Sequence, residues 1–83
     1  MQINLHPHCL QIAIERGALK KEIIETVKSG EQFPAKFGRT GFRKNFLFNA
    51  AWNNKQFATK QIEAYCSKEN NEWLVATVIV KYF

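Results

Sequence analysis

The sequence contains no aspartate, and its seven acidic residues are all glutamates. None of them lies within residues 32–62, so the middle of the chain has no carboxylate side chain at all. A two-metal phosphodiesterase needs clustered carboxylates to hold its metal ions, so this composition argues against that mechanism. A nuclease with this sequence is therefore expected to work without a metal ion. That restricts the substrate to RNA, whose own 2′-hydroxyl can serve as the nucleophile.

Long hydrophobic runs and several common motifs are also missing. The longest apolar run, from Trp73 to Val80, is strand-sized and far shorter than the roughly 20 residues of a membrane helix. There is no GxSxG, no phosphate-binding P-loop and no CxxC. The first residues lack the pattern of a signal peptide, so a cytoplasmic location without membrane attachment is expected. Cys9 and Cys66 are then expected to be reduced core residues.

Positive charge is what the sequence has in excess, and it is concentrated in one stretch. The net charge is +5, and residues 32–62 hold six lysines and arginines, while the flanking regions are nearly balanced. These cations are Lys36, Arg39, Arg43, Lys44, Lys55 and Lys60. A block of one sign predicts a polyanion or an acidic protein as partner. The alternative is a solvated basic face that has no partner.

Hydrophobic periodicity predicts two short helices at the start of a single domain that spans residues 1–83. Pro7 is a good first helical residue because it has no N–H group to leave unpaired, and apolar residues recur at helical spacing as far as Gly17. A second helix is predicted from about Leu19 to Lys28 and ends at Gly30. Its start has no Ser, Thr, Asp or Asn to cap it.

The remainder alternates between polar and apolar residues as strands do. Strands are predicted at 33–37, 42–49, 56–66 and 73–83, and a short first strand at 2–5 is a further option. The sequence therefore predicts an α+β fold in which two N-terminal helices pack on one face of a three- to four-stranded antiparallel β-sheet. The uncovered face must then carry polar groups, and the candidates are Lys36, Arg43 and Lys60.

His8 is the candidate for proton transfer, because an imidazole titrates near neutral pH. The His6-Pro7-His8 run has the look of a metal pair, but no carboxylate or second thiol stands nearby to complete a site. A packing or helix-capping role for His8 is the alternative.

The stretch from Lys36 to Lys44 interleaves cations with phenylalanines and glycines. Guanidinium groups bind phosphate in a bidentate fork, and aromatic rings can stack on bases. Phe37 could serve either as such a stacking ring or as a core residue, whereas Phe46 and Phe48 are expected in the core. The stretch is thus a candidate nucleic-acid-binding segment.

Several short motifs resemble one group of proteins. They are the run from His8 to Gly17 ending in Glu-Arg-Gly, the Lys36-Phe-Gly-Arg39 stretch after Gly30, and the closing strand that contains Thr77 and Tyr82. In this order they resemble the BrnT-like proteins and a related group of short His…Glu-Arg-Gly domains, both placed in the RelE/ParE toxin superfamily. The resemblance covers nearly the whole chain.

The resemblance implies a metal-independent ribonuclease that a cognate antitoxin neutralises. Arg16 occupies the end of the first helix, where BrnT-like proteins often carry Lys-His-Gly, and this replacement moves the proton-transfer role to His8. Arg39 and Arg43 match the basic positions after the second helix. Tyr82 resembles a near-terminal tyrosine that some RelE-like enzymes use.

The leading hypothesis is a toxin-like, metal-independent endoribonuclease that needs no cofactor. Its expected catalytic residues are His8, Arg16, Arg39 and Arg43, and its expected RNA-binding residues are Lys36, Phe37, Lys44, Lys60 and Tyr82. The alternative is a non-catalytic module of the same fold that binds RNA or an acidic protein. A third hypothesis is a homodimer that pairs exposed strands.

Overall fold

The computed structural model of the protein describes residues 2–83 as two helices and five strands. In chain order the elements are β1 (Ile3–Leu5), α1 (Pro7–Glu15), α2 (Lys20–Ser29), β2 (Glu31–Pro34), β3 (Thr40–Trp52), β4 (Lys55–Glu69) and β5 (Glu72–Tyr82). A single 3₁₀ turn, Lys36–Gly38, lies between β2 and β3. The predicted α+β class and the two N-terminal helices are confirmed.

The sheet differs from the predicted one in strand number and direction. Its order is β1-β5-β4-β3-β2, and β1 runs parallel to β5 while the other pairs are antiparallel. The prediction of three or four antiparallel strands is therefore wrong, because the short first segment joins the sheet beside Trp73–Val75. The sequence offered a short strand at 2–5, and β1 lies there, but three residues give no indication of the partner strand or of its direction.

Both helices begin with a capping interaction. The Nδ1 of His6 accepts a hydrogen bond from the His8 backbone N–H at 3.2 Å, and Pro7 follows as the first helical residue. At the start of α2, the backbone N–H of Leu19 donates to Glu22 Oε1 at 2.9 Å. The carboxylate of Glu22 thus makes up for the missing capping side chain that the sequence indicated.

The core lies between the two helices and one face of the sheet. Its buried members include Cys9, Ala13, Ile23, Val27, Phe42, Ile62, Ala64, Cys66, Val75 and Val78. Both cysteines are free and buried, as expected, and burial raises the pKa of the Cys66 thiol to about 12. No helix within residues 2–83 is long and apolar enough to cross a membrane.

Strand alternation gives the sheet two different faces. The covered face carries the apolar residues Phe42, Ile62 and Ala64 and packs against α1 and α2. The opposite face carries Arg43, Glu63 and their cross-strand neighbours, and neither α1 nor α2 packs on it. We call this second face the open face.

Candidate functional site

The predicted site residues divide between the two faces of the sheet, beginning with Lys60. The prediction put Lys60 on the uncovered face, but its side chain lies on the covered face and is 7% exposed. Its ammonium group donates to Glu22 Oε1 at 2.7 Å and to the Gly17 carbonyl at 2.9 Å. This correction has a simple cause: Lys60 shares strand parity with Ile62 and Ala64, which are core residues.

Tyr82 also lies on the covered face and holds the helices to the sheet. Its hydroxyl donates to the Arg16 carbonyl at 2.7 Å, and its ring stacks on Trp52 with centroids 4.9 Å apart. The α1–α2 turn leaves room for this hydroxyl only because Gly17, at φ 91°, has no Cβ atom. Burial raises the pKa of Tyr82 above its ordinary value, with the Glu22 charge adding to the effect. These contacts are structural.

His8 and Arg16 lie together on the outer side of α1. Both side chains are exposed, and they line a cavity of about 430 Å³ between α1 and the outer side of β5. Lys44 belongs to the covered face by strand parity, at the β3 edge. Hence Lys60 and Tyr82 lie on the face opposite Arg43, and His8 and Arg16 lie beside α1. Lys44 borders a small cavity that Arg43 also lines.

The other predicted residues are on the open face or at its border. Arg43 lies in the middle of a cross-strand row, with Glu31 on β2 and Glu63 on β4 opposite it. Its Nη2 is 2.6 Å from Glu31 Oε1, and its Nη1 is 3.7 Å from Glu63 Oε2. The hydrogen bond to Glu31 raises the pKa of the Arg43 guanidinium, so this group is a permanent cation.

The centre of the open face is the carboxylate of Glu63, whose residue is 4% exposed. Its Oε1 accepts a hydrogen bond from the Tyr65 hydroxyl at 2.9 Å, and its Oε2 lies 3.3 Å from Lys81 Nζ. Burial, followed by the hydrogen bond to Glu63, raises the pKa of Tyr65, so the phenol keeps its proton at neutral pH. A buried carboxylate is thus surrounded by a phenol and two cations.

Phe33 and Tyr65 form an aromatic wall beside this carboxylate. Their rings meet edge to face with centroids 5.9 Å apart, and the Arg43 guanidinium lies 4.7 Å from the Phe33 ring centroid. The Phe33 ring occupies the space above Gly41, where a Cβ atom would collide with it. Gly41 therefore allows the ring to lie against the sheet.

The segment Lys36–Arg39, which we call the basic turn, borders the wall. Phe37 is 89% exposed and adopts the left-handed conformation at φ 62°, ψ 33°. The ammonium of Lys36 and the guanidinium of Arg39 make no ion pair with any residue of the described chain. The sequence left open whether Phe37 is a core residue or a stacking residue. Its exposure shows that it is not a core residue.

Three residues of the open face, Glu63, Tyr65 and Lys81, were not among the predicted site residues. Charge counting assigned them to a C-terminal region that is close to neutral. The signal that could have found them is strand parity, because residues that alternate with Ile62 and Ala64 must point away from the core.

The site can thus offer exposed cations, an exposed ring and a centrally held carboxylate on one surface. Among residues 2–83, no three His, Cys or Glu side chains cluster as metal ligands would.

Comparisons of the chain with protein-family models, curated proteins and solved structures found no match. Membership of the RelE/ParE superfamily, with its antitoxin, therefore stays a prediction. The homodimer also stays a prediction. Within the described residues, the part of β5 after Val75 has no neighbouring strand on its outer side, so this edge is where a second copy could pair.

Proposed function

We propose that the protein binds single-stranded RNA on its open face, through the basic turn and the adjoining Arg43 and Lys81. The observation that carries this proposal is Phe37, an exposed aromatic ring held in a left-handed backbone conformation. Left-handed backbone costs a non-glycine residue about 1–2 kcal/mol, and exposing a large ring to water is also unfavourable. Such strain persists chiefly at functional positions, and a ring presented to solvent can stack on a base.

The charges beside Phe37 support the same ligand. Lys36 and Arg39 flank the ring in sequence and have no ion-pair partner among the described residues, so a phosphate would not have to compete with a carboxylate for them. Arg43 forms an ion pair with Glu31, and Lys81 forms one with Glu63, so part of their positive charge is neutralised. The basic turn therefore carries most of the electrostatic attraction for a polyanion.

The test measures binding of a fluorescein-labelled single-stranded RNA by anisotropy at several salt concentrations. Affinity is expected to fall with salt, and Lys36→Ala and Arg39→Ala should each reduce the slope of log K against log salt by about 0.7. Lys20→Ala on α2 is the matched control, because it removes the same charge from the helix layer. No binding at low salt, or an equal loss for Lys20→Ala, would contradict the proposal.

Cleavage of the bound RNA without a metal ion is a second candidate function, favoured by the position of Glu63. The Lys81 side chain is 55% exposed, and when it turns away from Glu63 the carboxylate can accept the proton of the attacking 2′-hydroxyl. Arg43 and Lys81 would then stabilise charge on the phosphorus centre. The 2′-oxygen then bonds to phosphorus as the bond to the 5′-oxygen breaks, the departing 5′-oxygen takes up a proton from water, and Glu63 returns its proton to the solvent. This assignment replaces His8, which lies on α1 on the covered side.

Cleavage is tested by incubating purified protein with RNA in EDTA and separating the products. Wild type is expected to cut RNA and to leave the matched DNA strand intact, whereas Glu63→Gln should bind RNA and cut it at least 100-fold more slowly. The glutamine keeps an oxygen that can accept the Tyr65 hydrogen bond. Intact RNA with wild type, or equal cutting by Glu63→Gln, would leave binding as the only function.

A further inference from the structure

A cavity of about 560 Å³ opens between the basic turn and the aromatic wall. Its lining includes Phe33, Tyr65, Phe37, Arg39 and, from β5, Thr77. The volume falls within the range of small-molecule sites, which combine apolar walls with a few polar groups. The cavity is therefore an open depression with room for one small planar group.

The chemistry of the walls matches one nucleotide. The three aromatic rings suit a planar heterocycle, since bases stack on phenylalanine and tyrosine with little regard to sequence. Lys36 also lines the cavity and joins Arg39 as the cationic pair for a neighbouring phosphate. The Thr77 side chain is exposed, and its hydroxyl can donate to or accept from a base edge.

The cavity has two hydroxyl groups, on Tyr65 and Thr77, and they are not equivalent. The Tyr65 hydroxyl already donates to Glu63, so Tyr65 would contact a ligand with its ring and not with its hydroxyl. Thr77 makes no side-chain hydrogen bond within residues 2–83. Of the two hydroxyl groups, that of Thr77 is thus the one free to contact a base directly.

We infer that this cavity is a base-binding subsite that takes a single unstacked nucleobase of RNA, with the adjoining phosphate at Lys36 and Arg39. The inference rests on the proposed RNA binding and adds the subsite to it. A paired base has its Watson–Crick edge and both faces occupied, so the subsite accepts single strands and excludes the same sequence in a duplex. Arg43 packs on the Phe33 ring and holds one side of the wall in place.

The experiment compares two labelled trinucleotides by anisotropy, UpUpU and the same backbone with an abasic central residue. The intact trinucleotide is expected to bind about tenfold more tightly, which corresponds to the loss of one stacked base. Phe37→Ala should reduce this difference several-fold, because one of the three rings that line the cavity is lost. Leu47→Ala is the matched control, because Leu47 is an equally exposed apolar residue at 86% and lies outside the cavity.

Each outcome separates the subsite from the proposed function. Equal affinity for the two trinucleotides in the wild type would overturn the subsite and leave RNA binding through phosphates in place. An undiminished difference in Phe37→Ala would also overturn it, since the base would then make no contact with the Phe37 ring that lines the cavity. Failure of both trinucleotides and of longer RNA to bind would refute the proposed function as well.

Discussion

Lys60→Met is expected to destabilise the protein by about 3 kcal/mol, because it leaves the Glu22 carboxylate without its buried partner. The Lys60 and Glu22 side chains are 7% and 15% exposed, so water can solvate the abandoned charge only in part. The same substitution also removes the hydrogen bond to the Gly17 carbonyl, which ties β4 to the α1–α2 turn. Urea denaturation followed by circular dichroism measures the loss.

A double mutant shows whether the unpaired charge is the cause. Glu22→Gln removes the charge and keeps an oxygen that can accept the Leu19 N–H bond at the start of α2. The pair Lys60→Met with Glu22→Gln should therefore cost clearly less than the sum of the two single losses. Lys55→Met, at an exposed position, should change stability by less than about 0.5 kcal/mol. Strict additivity, or a fall in RNA affinity for Lys60→Met in its folded state, would count against this structural role.

Phe37→Gly is expected to move stability and RNA affinity in opposite directions. Glycine relieves the left-handed strain at φ 62°, and after its own larger loss of chain entropy the net gain is about 0.5–1 kcal/mol. Loss of the exposed ring should weaken RNA binding about tenfold. Thermal denaturation and anisotropy on the same preparations measure the two effects.

Phe37→Trp is the companion variant, since it keeps a stacking ring at the same backbone position. It should bind RNA at least as tightly as wild type and show no gain in stability. If Phe37→Gly bound RNA as tightly as wild type, the strained ring would have no part in recognition. If it were less stable than wild type, the turn would depend on packing that the exposed ring does not show.

Much of the fold could be predicted because local patterns and tertiary packing agree. The Pro7 start of α1 and the Gly30 end of α2 both follow from residue chemistry and appear in the structure as expected. The direction of the parallel strand β1 could not be predicted from the sequence. Its three residues are defined by pairing with β5, about 70 residues away, which no local pattern reveals.

The site was predictable in part, and the limit was the assignment of faces. The basic turn stood out by composition, and the structure places Lys36, Phe37 and Arg39 together at the open face. Lys60 was grouped with them by charge, although it lies two residues from Ile62 on the same strand and therefore on the same apolar face. A charge block in sequence gives no information on strand parity, so the cations must be sorted by face before a surface is inferred.

The most direct test of the central claim is an NMR titration of the ¹⁵N-labelled protein with single-stranded RNA. The account predicts that amide shifts concentrate in the basic turn, around Tyr65 and at Thr77, while the amides of α1 and α2 stay unchanged. Shifts confined to α1 near His8 and Arg16 would place the ligand on the opposite side of the sheet. That result, or a spectrum unaffected by RNA, would contradict the account.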